Sequence, residues 1–242
     1  MRPISLNDVK ILRTPVQHFS DCYLVSSIGA LARSNDGAKL LRQNIARHYD
    51  GFYVTFRNVN GIEEKYHASA KELEKHISYD KYYNYVVHEF EQHPIVKAVE
   101  IAMGKLLKNH PAKKPLLCRF PRCQEKFEYN KPSNFMEMFT GKKPFTFNEA
   151  GIQMTLKKKK DEAVELFEKI GSSDDFSIVT GTGLGSREGL TNVHCYTIEG
   201  VNIENRYIQI FDCRKQKSII LPFDKAIRGL KFLTGYFSGM LK

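Results

Sequence analysis

The sequence predicts an α+β fold in two lobes, with helices gathered in the first half and an antiparallel sheet in the second. Three observations carry that expectation. Apolar residues recur at helical spacing after Cys22 and again after Pro94. Strand-like runs take over from Phe176 onward. Between the two regimes, His110 to Pro144 is rich in Pro, Lys and aromatic residues and has no clean period, as expected of a connection between lobes. The expected division is residues 1–144 for the first lobe and 145–242 for the second, the two together forming one domain.

Each element follows from its local pattern. From Cys22 to Arg33, Leu24, Ile28 and Leu31 fall on one helix face, with Val25 and Ala32 beside them, so a helix with one buried face is expected. Ser20 and Asp21 stand just ahead as N-cap candidates. Ser34-Asn35-Asp36-Gly37 breaks that helix, and a second follows from about Ala38 to Arg47. Phe52 to Val59 alternates as a strand, Asn60-Gly61 is a two-residue hairpin turn, and Ile62 to Ala68 is the return strand. Pro94 suits the first turn of a helix running through Val96, Val99, Met103 and Leu106. Asn148 to Leu156 and Asp161 to Ile170 read as helices. Phe176–Thr180, Val193–Val201, Tyr207–Cys213 and Ser218–Leu221 read as strands.

Composition narrows the class. The chain has 242 residues, 42% hydrophobic and 26% charged, an ordinary globular balance. No apolar run approaches the roughly 20 residues needed to cross a bilayer, so no transmembrane segment is expected. Met1 to Thr14 lacks an apolar core followed by small residues, so no secretory signal is expected. Five cysteines, an odd number, argue for free thiols in a reducing compartment and against a disulfide framework. The net charge of +10 points to an acidic protein or an anionic surface as partner. Basic and aromatic residues do not interleave on one regular face, so nucleic acid is not expected as a partner.

Cys22 is the residue that suggests chemistry. A helix N-terminus carries about half a unit of positive charge, which favours thiolate. A Cys there can act as a nucleophile if a base removes its proton and donors meet the oxyanion. His194 is the candidate base. In the strand after Val193, His194, Tyr196 and Ile198 share one face while Cys195 and Thr197 share the other. In the next strand Ile208, Ile210 and Asp212 share a face and Cys213 points away. If the strands are antiparallel neighbours, His194 and Asp212 meet near one end, and Cys195 and Cys213 are core or back-face thiols.

The run Gln17-His18-Phe19-Ser20-Asp21-Cys22-Tyr23-Leu24 resembles the active-site signature of calpain-like proteases, where a Gln precedes Gly-Asp-Cys-Trp/Tyr-Leu and a helix begins at the Cys. Gly189-Leu190 and His194-Cys195-Tyr196-Thr197-Ile198 resemble that family's Gly-Leu and His-Ala-Tyr-Ser-Val segment. Tyr207 to Asp212 resembles the strand that ends in the family's Asn. Val99-Glu100-Ile101-Ala102 is similar to its Glu-Lys-Ala-Tyr helix, and Phe139-Thr140-Gly141 to the Leu-Thr-Gly that closes its first lobe. The resemblance covers nearly the whole chain. It implies a papain-like, two-lobed catalytic domain with a helical N-terminal lobe holding Cys22 and an antiparallel-sheet C-terminal lobe holding His194 and Asp212. It further implies a cysteine endopeptidase that cleaves protein substrates, with Gln17 as oxyanion donor; separately, no cofactor or metal is expected from the sequence. Such a compact basic core suits a cytoplasmic protein, or a bacterial effector secreted without a signal peptide.

This sequence departs from the pattern at three points. Gln17 stands five residues before Cys22 where the family's Gln stands six before, which either keeps its amide near the oxyanion or removes it and leaves the Cys22 backbone N–H and another group as donors. Ser20 replaces the family's Gly, and Asp212 stands in place of Asn. The order Cys, His, Asp is also that of transglutaminases, so a glutamine deamidase or transglutaminase-like reaction, or cleavage of an isopeptide such as a ubiquitin linkage, is an alternative on the same residues. A non-catalytic binding module on a degraded protease fold is another.

Other motifs carry less. Cys118 and Cys123 mimic half a zinc finger, but no His occurs between Gln124 and Val193 to complete it. Gly181 to Ser186 is glycine-rich but lacks a P-loop Lys and leads into a strand, so a loop beside the cleft is expected there. Lys157–Lys160 is expected as a solvated helix face. No acidic loop matches the calpain calcium sites.

Overall fold

The structure, a computed structural model, describes residues 1–17, 21–57, 62–76, 91–110, 131–148, 156–183 and 188–241. It is an α+β fold with two antiparallel sheets. The first sheet runs β1 (Arg2–Pro3), β2 (Ile45–His48), β3 (Gly51–Arg57), β4 (Glu63–Ser69) in chain order. The helices of the first half are α1 (Leu6–Ile11), α2 (Cys22–Arg33), α3 (Asn35–Asn44), α4 (Ala70–His76), α5 (Pro94–Asn109) and α6 (Pro132–Thr140). The second sheet comprises β5 (Phe145–Phe147), β6 (Phe176–Gly181), β7 (Cys195–Asn202), β8 (Tyr207–Asp212), β9 (Lys217–Pro222) and β10 (Phe232–Phe237), in the spatial order β5-β10-β6-β7-β8-β9. Helices α7 (Lys160–Gly171) and α8 (Phe223–Gly229) accompany it.

Several expectations are corrected. The first lobe is not helical with one hairpin, because four strands lie in it. The second predicted helix starts three residues earlier, at Asn35, because the Ser34 hydroxyl accepts from the Gly37 amide as its N-cap. That helix ends at Asn44, where Ile45 turns extended and pairs with Val54. Within the stretch read as an irregular connection, Pro132–Thr140 is a helix, ended by Gly141 at φ 72°. Its Phe135 and Phe139 are fully buried and stack on one another beside Phe56. Asn60-Gly61 lies outside the described residues. Most of the expected helix Asn148–Leu156 does too, and Leu156–Lys159 forms a 3-10 turn. The exposed Lys157, Lys159 and Lys160 stand at that turn and at the start of α7, where Lys159 pairs with Glu162 at 3.4 Å.

Helix α2 was expected to bury one face, and it buries all of them: every residue from Tyr23 to Ala32 is shielded from solvent. A helix apolar all round belongs in a core. It packs against β6 and β7 on one side and against α3 and α6 on others. Burial of each Leu, Ile or Val there contributes about 1.5–3 kcal/mol. One hydrophobic cluster therefore joins the two halves, running from Leu24, Ile28 and Leu31 to Val179, Cys195, Phe211 and Tyr236. A second cluster fills the opposite face of the second sheet, where Tyr196, Ile198, Ile208 and Ile210 meet Phe167 of α7 and Ile227 of α8. The alternation read in β7 and β8 is thus present: Tyr196 and Ile198 face one core, Cys195 the other.

Close approach of α2 to β7 depends on Gly29. A Cβ at that position would stand 2.9 Å from Thr197 Oγ1 and 3.2 Å from Pro15 Cδ. Polar groups cross the same seam. Thr197 Oγ1 donates to the Ser26 carbonyl at 2.8 Å, and Ser26 Oγ donates to the Cys195 carbonyl at 3.0 Å. Helix start and strand start are thereby held in fixed relation. Among the described residues, no helix is long and apolar enough to cross a membrane.

Candidate active site

Cys22 is the first residue of α2, and its side chain is partly exposed. The leading N–H groups of a helix have no intrahelical acceptor, so positive potential gathers there. Asp21 occupies the N-cap position, yet its side chain makes no capping bond. The Cys22 thiol is pulled well below the ordinary thiol range. A hydrogen bond from the Cys195 thiol is the largest cause. Burial opposes the shift, and the hydrogen bond and charge of His194 add to it.

His194 sits immediately before β7, buried, with its Nε2 3.0 Å from Asp212 Oδ1. Burial disfavours its charge, but hydrogen bonds to Asp212, Cys213 and Cys22 outweigh that and hold it well above the ordinary imidazole range. Nε2 is committed to Asp212, which leaves Nδ1 as the ring nitrogen for the thiols. Asp212 ends β8. Burial pushes its carboxyl up, but His194 and the amides of Lys215 and Arg214 pull it below the usual carboxylate range. Those two amides each donate to Oδ1 at 3.0 Å. Oδ2 is buried and has no hydrogen-bond partner among the described residues.

The loop leading into His194 is constrained at several points. Thr182, after β6, has its Oγ1 3.0 Å from the His194 amide, which donates to it, and 2.5 Å from the Thr191 carbonyl, to which it donates. The Thr191 amide donates to the Tyr196 hydroxyl at 2.8 Å, and the Tyr196 ring stands edge-on to the imidazole, centroids 4.8 Å apart. Val193 has φ 48° and is half exposed. Left-handed backbone is costly for a β-branched residue, so the surrounding hydrogen bonds must hold it there. The sequence places Tyr196 on the His194 face and in the His194–Ile198 motif but assigns it no role, and Thr182 is marked only by its closeness to His194 in the fold.

Gln17 is buried and tied to the same place. Its backbone N–H donates to the Cys213 carbonyl at 3.0 Å, and its side-chain Oε1 accepts from the Cys213 thiol at 3.5 Å. Cys213 also lies 3.6 Å from Ser26 Oγ. Of the expectation that Cys195 and Cys213 are core or back-face thiols, the core placement holds: both belong to the buried cluster around α2. They lie on the side of the sheet that faces α2, where they touch the Cys22–His194 pair. Cys213 lies on the same side as Phe211 and opposite Ile208 and Ile210, as the strand alternation expects. The thiols are unequal. Burial pushes Cys213 up despite His194, whereas Cys22 is pulled down. Cys22 therefore ionises more readily than Cys213.

All four residues singled out by the sequence, Cys22, His194, Asp212 and Gln17, converge on one junction between the start of α2 and the ends of β7 and β8. Among the described residues, no group of three or more His, Cys, Asp or Glu side chains is arranged to hold a metal ion. Cys118 and Cys123 lie outside the described residues, as do residues 184–187 of the glycine-rich stretch. Neither a protein-family model nor a curated protein matches the chain.

Proposed function

We propose that the chain is a cysteine endopeptidase of the calpain-like, papain-type class, acting on protein substrates. The observation that carries this reading is His194, held between the Cys22 thiol at a helix start and the buried carboxylate of Asp212. A depressed thiol beside a raised imidazole favours a thiolate–imidazolium pair, the reactive form of a cysteine nucleophile. The thiolate attacks an amide carbonyl and forms a tetrahedral oxyanion, met by the Cys22 backbone N–H and the Gln17 amide. Collapse expels the amine, which takes the proton from His194. Water, deprotonated by His194, then releases the acyl group from sulfur. The basic surface suits acidic protein partners.

Asp212, standing where the family has Asn, favours a second reading: acyl transfer at a glutamine side chain, or isopeptide cleavage, by the same residues. Incubation with a peptide library and with an electrophilic peptide tests both. Endopeptidase action splits chains and leaves Cys22 as the labelled thiol. Deamidation instead adds about one dalton without cleavage, since an amide nitrogen is exchanged for oxygen. No labelling at Cys22 and no turnover would leave a binding module.

A further inference from the structure

The carboxyl of Asp21, one residue before Cys22, meets the carboxyl of Glu100 on α5. Both residues are fully buried. Neither oxygen of Asp21 has a conventional hydrogen-bond donor among the described residues. Glu100 Oε1 accepts from Gln92 Nε2 at 2.5 Å. Two carboxylates in contact and out of water cannot both ionise, because like charges and lost hydration act in the same direction. A carboxylic acid donating to a carboxylate satisfies both groups.

We propose that Asp21 and Glu100 share a single proton carried on Asp21, and that this neutral Asp21 is a positioning residue for the Cys22 nucleophile. It ties the start of α2 to α5 while keeping negative charge away from the thiolate.

The proposal rests on the reading of Cys22 as nucleophile, and several features support it. An Asp at an N-cap ordinarily turns its oxygens onto the first-turn amides. Asp21 does not: its backbone carbonyl, not its carboxyl, accepts from the Leu24 amide at 2.8 Å, so no side-chain oxygen is turned onto the helix start beside the sulfur. Burial, then Glu100, then the Cys22 charge raise the Asp21 carboxyl far above its ordinary range, all three in one direction. Gln92, which donates to Glu100, is neutral, and Cys22 adjoins Asp21. The nearest cation along α5 is buried Lys97, placed 4.0 Å from Glu91. Glu100 therefore keeps the negative charge, one residue-pair removed from the sulfur. An ionised Asp21 would oppose thiolate formation directly.

The experiment has two arms. Carboxyl carbon NMR of the whole chain should show one carboxyl still protonated at pH 7, with that signal lost in Asp21→Asn. In parallel, iodoacetamide alkylation of Cys22 is followed across pH. Asp21→Asn replaces the acid by a neutral donor, so the acid limb of its profile should stay where it is in the wild type. Asp21→Leu removes the donor to Glu100, and Cys22 alkylation at pH 6 should fall at least several-fold. A downward shift of the Asp21→Asn acid limb by a pH unit or more would show that Asp21 is an anion and would overturn the proposal. So would the absence of a protonated carboxyl at pH 7. If Cys22 is alkylated no faster than the other thiols while the protonated carboxyl is present, the nucleophile reading fails and the proton pair stands.

Discussion

His194 Nε2 lies 3.0 Å from Asp212 Oδ1, both side chains buried, at the meeting ends of two neighbouring antiparallel strands. The carboxylate fixes which imidazole nitrogen is left for the sulfur, and it stabilises the charged ring. Asp212→Asn keeps an acceptor for the ring and should retain appreciable activity. Asp212→Ala removes it and should cost one to several powers of ten in kcat. Equal activity of wild type and Asp212→Ala would remove Asp212 from the site.

The same pair predicts a pH signature in stability. His194 is raised, so its contribution is complete below the ordinary imidazole pKa of about 6.5 and declines as pH rises through the folded value. Asp212 is lowered, so its contribution is complete above about 3.9 and is lost as pH falls through the folded value. Urea unfolding of wild type and Asp212→Asn should therefore differ most between about pH 4 and 6.5, and less on either side. A difference that grows steadily toward pH 9 would contradict the assignment.

Cys22 owes its low pKa first to the Cys195 thiol and then to His194. Cys195→Ala should move the acid limb of Cys22 alkylation to higher pH, and His194→Ala should slow the reaction near neutral pH. In the wild type, Cys22 should react with iodoacetamide near pH 6 well ahead of Cys213, which burial keeps protonated. Peptide mapping by mass spectrometry gives the order, and Cys213 labelling first would reverse the roles.

Gln17 is held at the site by two bonds to Cys213. If its amide helps meet the oxyanion, Gln17→Ala should lower kcat by about 10²–10³. Alkylation of Cys22 forms no oxyanion and should be nearly unchanged. A variant with normal kcat would leave oxyanion stabilisation to backbone donors.

Gly29 lets α2 lie against β7, and that contact sets the distance between the two reacting elements. Gly29→Val should destabilise the fold by about 1–3 kcal/mol, since its Cβ would crowd the Pro15 ring and the Thr197 hydroxyl, which is held by its bond to the Ser26 carbonyl. Denaturant unfolding measures it. A midpoint equal to the wild type would mean that the seam is looser than the geometry requires.

The sequence by itself determined much of the local structure. Apolar spacing after Cys22 and Pro94 is enough for α2 and α5, because helical periodicity is written in a dozen consecutive residues. Alternation in β7 and β8 is likewise local, and it placed Tyr196 and Ile198 opposite Cys195 correctly. The order of Cys22, His194 and Asp212 along the chain singled out the residues that converge. What only the tertiary structure decided depends on partners far apart in sequence. Strand β2 exists because Ile45 pairs with Val54, and α6 survives a Pro- and Lys-rich setting because Phe135 and Phe139 find a buried place beside Phe56. Cys195 and Cys213 join the site because the sheet turns that face toward α2, and periodicity cannot say which face meets which neighbour. The contact of Asp21 with Glu100 has the same origin. Two acidic residues 79 positions apart become a pair only when packing removes the water between them.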